Sequence, residues 1–506
     1  MSIDPVTLQV LVGGLRGACD EMNSTLIRAA HSANIKERRD CSTALFDATG
    51  EMVMQAEAIP VHLGSMPEAV AAVIDRDHPD GRYWVLNDPF MGGTHLPDIT
   101  VVSAIHREGS VLGFAASRAH HADVGGPTPA GMPAHSTSLE DEGEVISPTL
   151  VSAGEIAGLV GGMRNPDQRI ADLRAQLAAN QLGARRLGEL ADRHGDELLR
   201  RGMREVLDYA ERRTRAAIAE MPDGSWESTD VLEHDGGAEP HDIALRVRAT
   251  IDGDTVRLDF SGTDGQVRGN LNCPAAVTRS AALFAVRVLA DPDAPPSAGA
   301  HRPVEIEIPQ GSVLRADPGA AVAAGNVETS SRVADLVLDA LAGAVPAPAQ
   351  GQGTMNNLTL AGDRFTYYET LGGGQGACPT GPGPSAVHVA MSNTLNTPVE
   401  AFEAEFPLRV RRLALRRESG GAGAQPGGDG LIRELEALEP MRYTLLTERR
   451  RHAPRGRDGG SDGARGRNLL NGRELGSKAS GELGPGDVLR VETPGGGGWG
   501  AARNRK

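Results

Sequence analysis

His95 and Asp98 stand three apart in NDPFMGGTHLPDITVV (residues 87–102), and His120, His121 and Asp123 follow in HHADVGG (residues 120–126). Imidazole nitrogen and aspartate oxygen are common protein ligands of divalent ions. A His-x-x-Asp pair in a loop bent by Gly and Pro can aim both side chains at one point. A second loop donating His120 would complete a facial set, and Asp40 would close it. Two imidazoles and two carboxylates suit Zn, Mn, Fe or Co. An ion held this way polarises a carbonyl and acidifies water. The competing reading makes these imidazoles hydrogen-bonded loop anchors.

Such residues need elements to position them. Pro5 suits a first helical turn, and Val6, Val10, Leu11, Leu15, Met22, Leu26 and Ile27 follow at near three-to-four spacing, so a helix is predicted there. Alternation over 42–46, a turn at 47–50 and a second run over 51–55 predict a hairpin with Asp40 just before its first strand. Short strands are predicted at 83–86, 99–105 and 111–116. The His-rich stretches then fall at strand ends, where functional loops usually sit.

Residues 167–221 form the longest helical region, broken near Gly195 and Gly202. Asp172, Gln176 and Asn180 share one of its faces, as a wet surface or as the lining of a cleft. Past Pro222, alternation at 243–247 and 256–260 around Asp252-Gly253-Asp254 predicts a hairpin, and 275–289 predicts a helix. Gly-rich loops occupy 372–376, 427–430 and 495–498. The pattern describes a mixed α/β (α+β), multi-domain chain with short strands, Gly-rich loops and a long helical segment. Its expected parts are an N-terminal α/β region with the metal-site loops (1–165), a helical segment (166–225), a mixed strand/helix region (226–440), and a C-terminal β-rich region ending in a frayed basic tail (441–506).

The net charge of −16 and 3% aromatic content argue against nucleic-acid backbones and base-stacking platforms. Arg449, Arg450, Arg451, His452, Arg455 and Arg457 form a local basic exception, readable as an anion-binding loop or a solvated turn. Cys19, Cys41, Cys273 and Cys378 make no CxxC pair and suggest a reducing compartment, with Cys273 a packed thiol. No basic-then-apolar leader is visible, and no apolar run approaches the roughly 20 residues of a membrane span, so a soluble, cytoplasmic protein is expected. The run GRELGSK (residues 472–478) falls one residue short of a P-loop, and neither a GxSxG elbow between a strand and a helix nor a strand–GxGxxG–helix occurs. No nucleotide-binding motif is therefore visible.

Long motifs spread along the whole chain carry a resemblance. They include NIKERRD (34–40), QAEAIPVHLGSMP (55–67), the two His-rich stretches, DLRAQLAAN (172–180), GNLNCPAAVTRSA (269–281), AAGNVETSSRV (323–333), GQGTMNNLT (351–359), YYETLGGGQGA (367–377), NTLNTPVE (393–400) and TPGGGGWG (493–500). In these the chain resembles the B subunit of the hydantoinase/5-oxoprolinase family. The resemblance implies the metal-containing, ring-opening half of an ATP-dependent cyclic amidase acting on a hydantoin, 5-oxoproline or lactam. A separate hydantoinase A-type ATP-binding subunit would phosphorylate the substrate oxygen, in keeping with the missing nucleotide motif. The two would form a hetero-oligomer of paired A and B subunits, without nucleic acid or membrane.

It further implies Asp40, His95, Asp98 and His120 as ligands of a divalent metal, with His121 and Asp123 as acid–base candidates. Glu328, Thr329, Asn356, Asn357 and Glu369 would line the substrate pocket, unless they only close turns. Backbone N–H groups of the Gly-rich loops would receive phosphate. Two other implied readings are a subunit of an acetone/acetophenone-type carboxylase and a non-catalytic scaffold for the A subunit.

Overall fold

The structure, a computed structural model, describes residues 3–56, 58–234 and 241–502; the end of the basic tail lies outside the described residues. An antiparallel six-stranded sheet organises the N-terminal half. Its order is Met52–Gln55, Cys41–Asp47, Ser110–His120, Asp98–Arg107, Arg82–Leu86 and Thr149–Ser152. Alternation along each strand sends side chains to opposite faces. Leu45 and Ala115 pack under the helices Pro5–Ala29, Pro166–His194 and Asp196–Ala219, with Leu11, Leu15, Met22 and Val206. Their strand neighbours Phe46 and Phe114 turn to the other face, where Val70, Trp84 and Met52 fill a separate core. The first helix starts where Asp4 accepts hydrogen bonds from the Val6 and Thr7 amides, with Pro5 in its first turn.

The predicted break at Gly195 is present, with φ of 84°. The one at Gly202 is not. That residue lies inside Asp196–Ala219, where a Cβ would run into Leu11.

The polar row Asp172, Gln176 and Asn180 is fully buried, so it is not a wet surface. Asp172 accepts from the amides of His31 and Ser32 (2.7 and 3.1 Å). Gln176 donates to the carbonyls of Ile99 and Ser117 (2.9 and 3.2 Å). Asn180 donates to the Val101 and Ala115 carbonyls and to Ser103 Oγ (3.0, 3.2 and 3.0 Å). The row fastens the long helix to the two strands that carry Asp98 and His120.

A second sheet, ordered Val304–Glu307, Thr255–Asp259, Ile243–Asp252 and Gly224–Leu232, shares a core with the helices Ala275–Ala290 and Ser330–Leu341. A third joins Thr366–Glu369, Asn357–Ala361, Met441–Leu446 and Lys478–Leu483, so its pairing crosses position 440. The fourth runs Leu408–Arg416, Gly430–Ala437, Val488–Glu492, Arg467–Leu470 and Arg473–Leu475.

The Gly-rich stretches are not open loops. They lie side by side as a bundle of extended chains. Gly374 N donates to Pro494 O, Gly428 N to Gln375 O, Gly496 N to Gly428 O, and Gly498 N to Ser461 O. A Cβ on Gly374 would collide with Gly428 O and Gly496 N, so only glycine permits this approach. These amides are committed to neighbouring chains, which corrects the expectation that they receive phosphate.

The basic loop is tied down as well. Arg449 is 1% exposed and donates to Asp335 at 2.9 Å, while Arg455 and Arg457 pair with Asp339.

Replacing Asn180 by Ala removes its hydrogen bonds to the Val101 and Ala115 carbonyls and to Ser103 Oγ. We expect a loss of roughly 2 kcal/mol, read as a lower urea midpoint with an unchanged slope.

Candidate metal centre

Three strand ends meet at one end of the first sheet. In the strand register Asp98 lies opposite His120, and the His120 amide donates to Asp40 O at 3.0 Å. The loop before Asp98 is held from both sides. Asn87 accepts from the Ile146 amide and donates to the Leu96 and Glu144 carbonyls. The buried guanidinium of Arg118 donates to Gly92 O, Ser65 Oγ and Thr100 Oγ1 (2.7, 2.6 and 2.8 Å).

This frame brings His95, Asp98 and His120 together, all buried, with one ligand atom from each within 4.8 Å of the others. His95 Nε2 and His120 Nδ1 stand 3.0 and 3.1 Å from Asp98 Oδ1. Asp98 Oδ2 accepts from Thr94 Oγ1 at 2.6 Å and from Asn326 Nδ2 at 3.4 Å. His62 adds a third imidazole, its Nε2 3.5 Å from Asp98 Oδ2 and its Nδ1 2.9 Å from Ser42 Oγ. Nothing in the residue spacing around His62 marks it as a ligand. Its one available signal was its place in the QAEAIPVHLGSMP stretch. His62, His95, Asp98, His120 and Asn326, with Asp40, Met355 and Tyr368, line a small cavity of about 20 Å³, space for an ion or a single water.

The donor set fits a divalent ion. Both ring nitrogens of His95, and the Nε2 atoms of His120 and His62, are buried without a hydrogen-bond partner among the described residues. Leaving buried polar groups unpaired is costly, and a cation would satisfy several at once. Burial raises the Asp98 pKa, but the charge of His95 and the close approach of the His120, His62 and His95 imidazoles outweigh it and hold the carboxyl well below its usual range. Burial pushes the His120 pKa down despite hydrogen bonding to Asp98. Ionised carboxylate and neutral imidazole are the forms that bind metal.

Aromatic and polar groups back the cluster. The Tyr368 ring stacks on His120, with centroids 4.6 Å apart and planes 14° from parallel. Its hydroxyl donates to Asn357 Oδ1, and Asn357 Nδ2 donates to Glu328 Oε1, both at 2.7 Å. Arg38 donates to Tyr368 O at 2.8 Å and lies 3.9 Å from Asp40. Asn326 and Val327 reach the cavity from a π-helical turn, Gly325–Thr329. Such turns often mark functional sites.

Other expected site residues do not reach the cavity. His121 follows His120 on an extended strand and turns to the helix, 3.0 Å from Gln176 Oε1; burial pushes its pKa down to about 4. Asp123 is saturated by the Gly125, Ala130 and Arg164 amides and the Arg164 guanidinium, and so holds a loop. Thr329 Oγ1 donates to Leu271 O. Asn356 is spent on Gln352 and Arg450, and Glu369 on Asn396, with Arg433 at 3.5 Å. Glu328 stands one hydrogen-bonded residue behind Tyr368 rather than on the cavity wall.

With sheet, strand ends and cluster in view, the class is defined: the chain belongs to the hydantoinase B/oxoprolinase family, whose sequence model matches residues 4–502. It is 39% identical to a 5-oxoprolinase 1 of Arabidopsis thaliana over 98% of its length, spanning 42% of that relative. The chain thus spans about two-fifths of the 5-oxoprolinases it matches. It is 29% identical to the B subunit of a putative D-/L-hydantoinase from a Pseudomonas species, with 91% of this chain and 83% of that one aligned. The ATP-dependent caprolactamase of Pseudomonas jessenii superposes with a TM-score of 0.92 at 27% identity, covering 99% of this chain and 92% of that one. An acetone carboxylase shares the fold, with a TM-score of 0.88 at 18% identity over 98% of this chain and 76% of that one. Among the described residues no helix is long and apolar enough to cross a membrane.

Burial pushes the Glu328 pKa from 4.5 up to about 7. A carboxyl with a raised folded pKa stabilises the fold fully below its unfolded value and loses that contribution as pH rises through the folded one. Wild type should therefore lose on the order of 3 kcal/mol between pH 4 and 8 relative to Glu328→Gln, read from paired thermal melts across that range.

Proposed function

We propose that the chain is the metal-containing B-type subunit of an ATP-dependent cyclic amidase. The observation that carries this is the buried His95–Asp98–His120 cluster at converging strand ends, with imidazole nitrogens left for an ion. Asp40, on the cavity wall, is the fourth ligand in this reading. Support also comes from the caprolactamase likeness and from the absence of a visible nucleotide motif in the sequence. An ATP-binding partner subunit supplies the missing half.

Amide resonance makes a lactam or hydantoin carbonyl a poor electrophile. Phosphorylation of its oxygen by the partner removes that resonance and installs a leaving group. A divalent ion, when bound, supplies Lewis acidity and acidifies water. This chain's residues do the rest. Thr94 and Asn326 fix the Asp98 carboxylate, and Tyr368 holds the His120 ring in plane. Val61, Met355 and Met391 give the cavity apolar walls. His62 takes the proton of the attacking water, its ring oriented by Ser42, in place of His121 and Asp123. The ring C–N bond then breaks, the proton held by His62 going to the departing nitrogen, and a second water hydrolyses the resulting acyl phosphate to release phosphate and the ring-opened acid.

The test is co-expression with a hydantoinase A-type subunit and a screen of cyclic amides for ATP-dependent phosphate release. The chain alone should show no such activity. Asp98→Ala should lose both metal, by elemental analysis, and ring opening. His62→Asn should keep metal and KM while kcat drops by about 100-fold. An Asp98→Ala protein with full metal and full activity would sink the proposal.

A further inference from the structure

Beside the metal cavity lies a second one of about 260 Å³. The two share Ile59, and the segment 391–394 divides between them: Met391, Ser392 and Thr394 line the metal side, Asn393 the other. Leu63, Phe284, Val288, Pro292 and Pro296 give the second chamber largely apolar walls. Its volume falls just short of the roughly 300–1,000 Å³ typical of drug-sized ligands, so it suits a single small ring.

Two of its polar side chains have structural work. Asn393 donates to Ala58 O, and Arg287 donates to the carbonyls of Pro292 and Ala294. Gln55 differs. It is 3% exposed, it lines the chamber, and its Oε1 has no hydrogen-bond partner among the described residues. A buried acceptor without a partner is a standing cost unless a ligand supplies the donor.

We propose that this chamber receives the ring of a cyclic amide and that Gln55 recognises its amide edge. The inference rests on the cyclic amidase reading and names the substrate-recognising group. In a small ring the amide is cis, so N–H and C=O lie on one edge. The Gln55 carboxamide offers an acceptor and a donor in the matching arrangement, and two parallel hydrogen bonds join them. Turned over about its last bond, the same carboxamide donates to a ring nitrogen that carries no hydrogen, as in an O-phosphorylated imidate. Ile59, shared by both cavities, stands between the bound ring and the metal centre, and its size sets how closely the ring approaches.

Saturation-transfer NMR titrations of the full chain with ε-caprolactam and N-methylcaprolactam test this. Wild type should bind ε-caprolactam, with the N-methyl probe about tenfold weaker because it cannot donate. Gln55→Leu should erase that difference without changing metal content. Val288→Trp, at a position 40% exposed on the chamber wall, should exclude both probes, and it tests the chamber independently of the buried Gln55 variant. Asp98→Ala should still discriminate between the probes, which separates failure of the metal reading from failure of this one. No binding to wild type, equal binding of the two probes, or discrimination that survives Gln55→Leu would each overturn the proposal.

Discussion

A carboxylate buried to 1% exposure stays charged only if its surroundings replace the water it has lost, and Asp98 is in that position. Imidazoles of His95, His120 and His62, the Thr94 hydroxyl and the Asn326 amide supply the replacement. The rest of the N-terminal half is arranged to keep those groups in place. Three strand ends must coincide, and the loops between them must not drift. Loops of irregular backbone are ordinarily mobile. Here Asn87 and Arg118 turn two of them into rigid parts of the sheet by saturating their backbone groups.

The same device recurs at larger scale. Asp172, Gln176 and Asn180 use helical spacing to bind backbone groups of the sheet and of the 31–32 turn. Buried polar groups hydrogen-bonded to backbone fix a register more sharply than apolar packing does. The strands carrying Asp98 and His120 therefore cannot slide against the helix without breaking several hydrogen bonds together. From the opposite side, Tyr368 stacks on His120, so the C-terminal half also contributes to the cluster.

Much of this was legible in the residues. Strand alternation placed 42–46 and 111–116 in a sheet, and the spacing of His95, Asp98 and His120 pointed to one another before any coordinates. What escaped has identifiable causes. The polar row could not be assigned, because helical spacing gives a shared face without saying what that face meets. His121 and Asp123 looked as reactive as His120, yet strand alternation and loop hydrogen bonding turned them elsewhere. His62 lacked a neighbouring ligand in sequence; its role comes from folding back across the end of the Cys41–Asp47 strand. Gly-rich stretches read as loops because glycine signals freedom locally, and only tertiary pairing converts that freedom into close packing.

The interlocked glycine chains also bear on how the molecule is assembled. Residues near 350, 375, 428, 461 and 496 must interleave before any of them has a complete set of partners. Contacts so far apart in sequence form slowly, since loop-closure entropy precedes the reward. The His95–Asp98–His120 grouping needs only the first quarter of the chain, whereas Tyr368 belongs to the half that waits on the bundle. An early intermediate would thus carry the His95, Asp98 and His120 side chains with one wall missing, open to solvent exchange, and the late closure of the bundle would add Tyr368 over them.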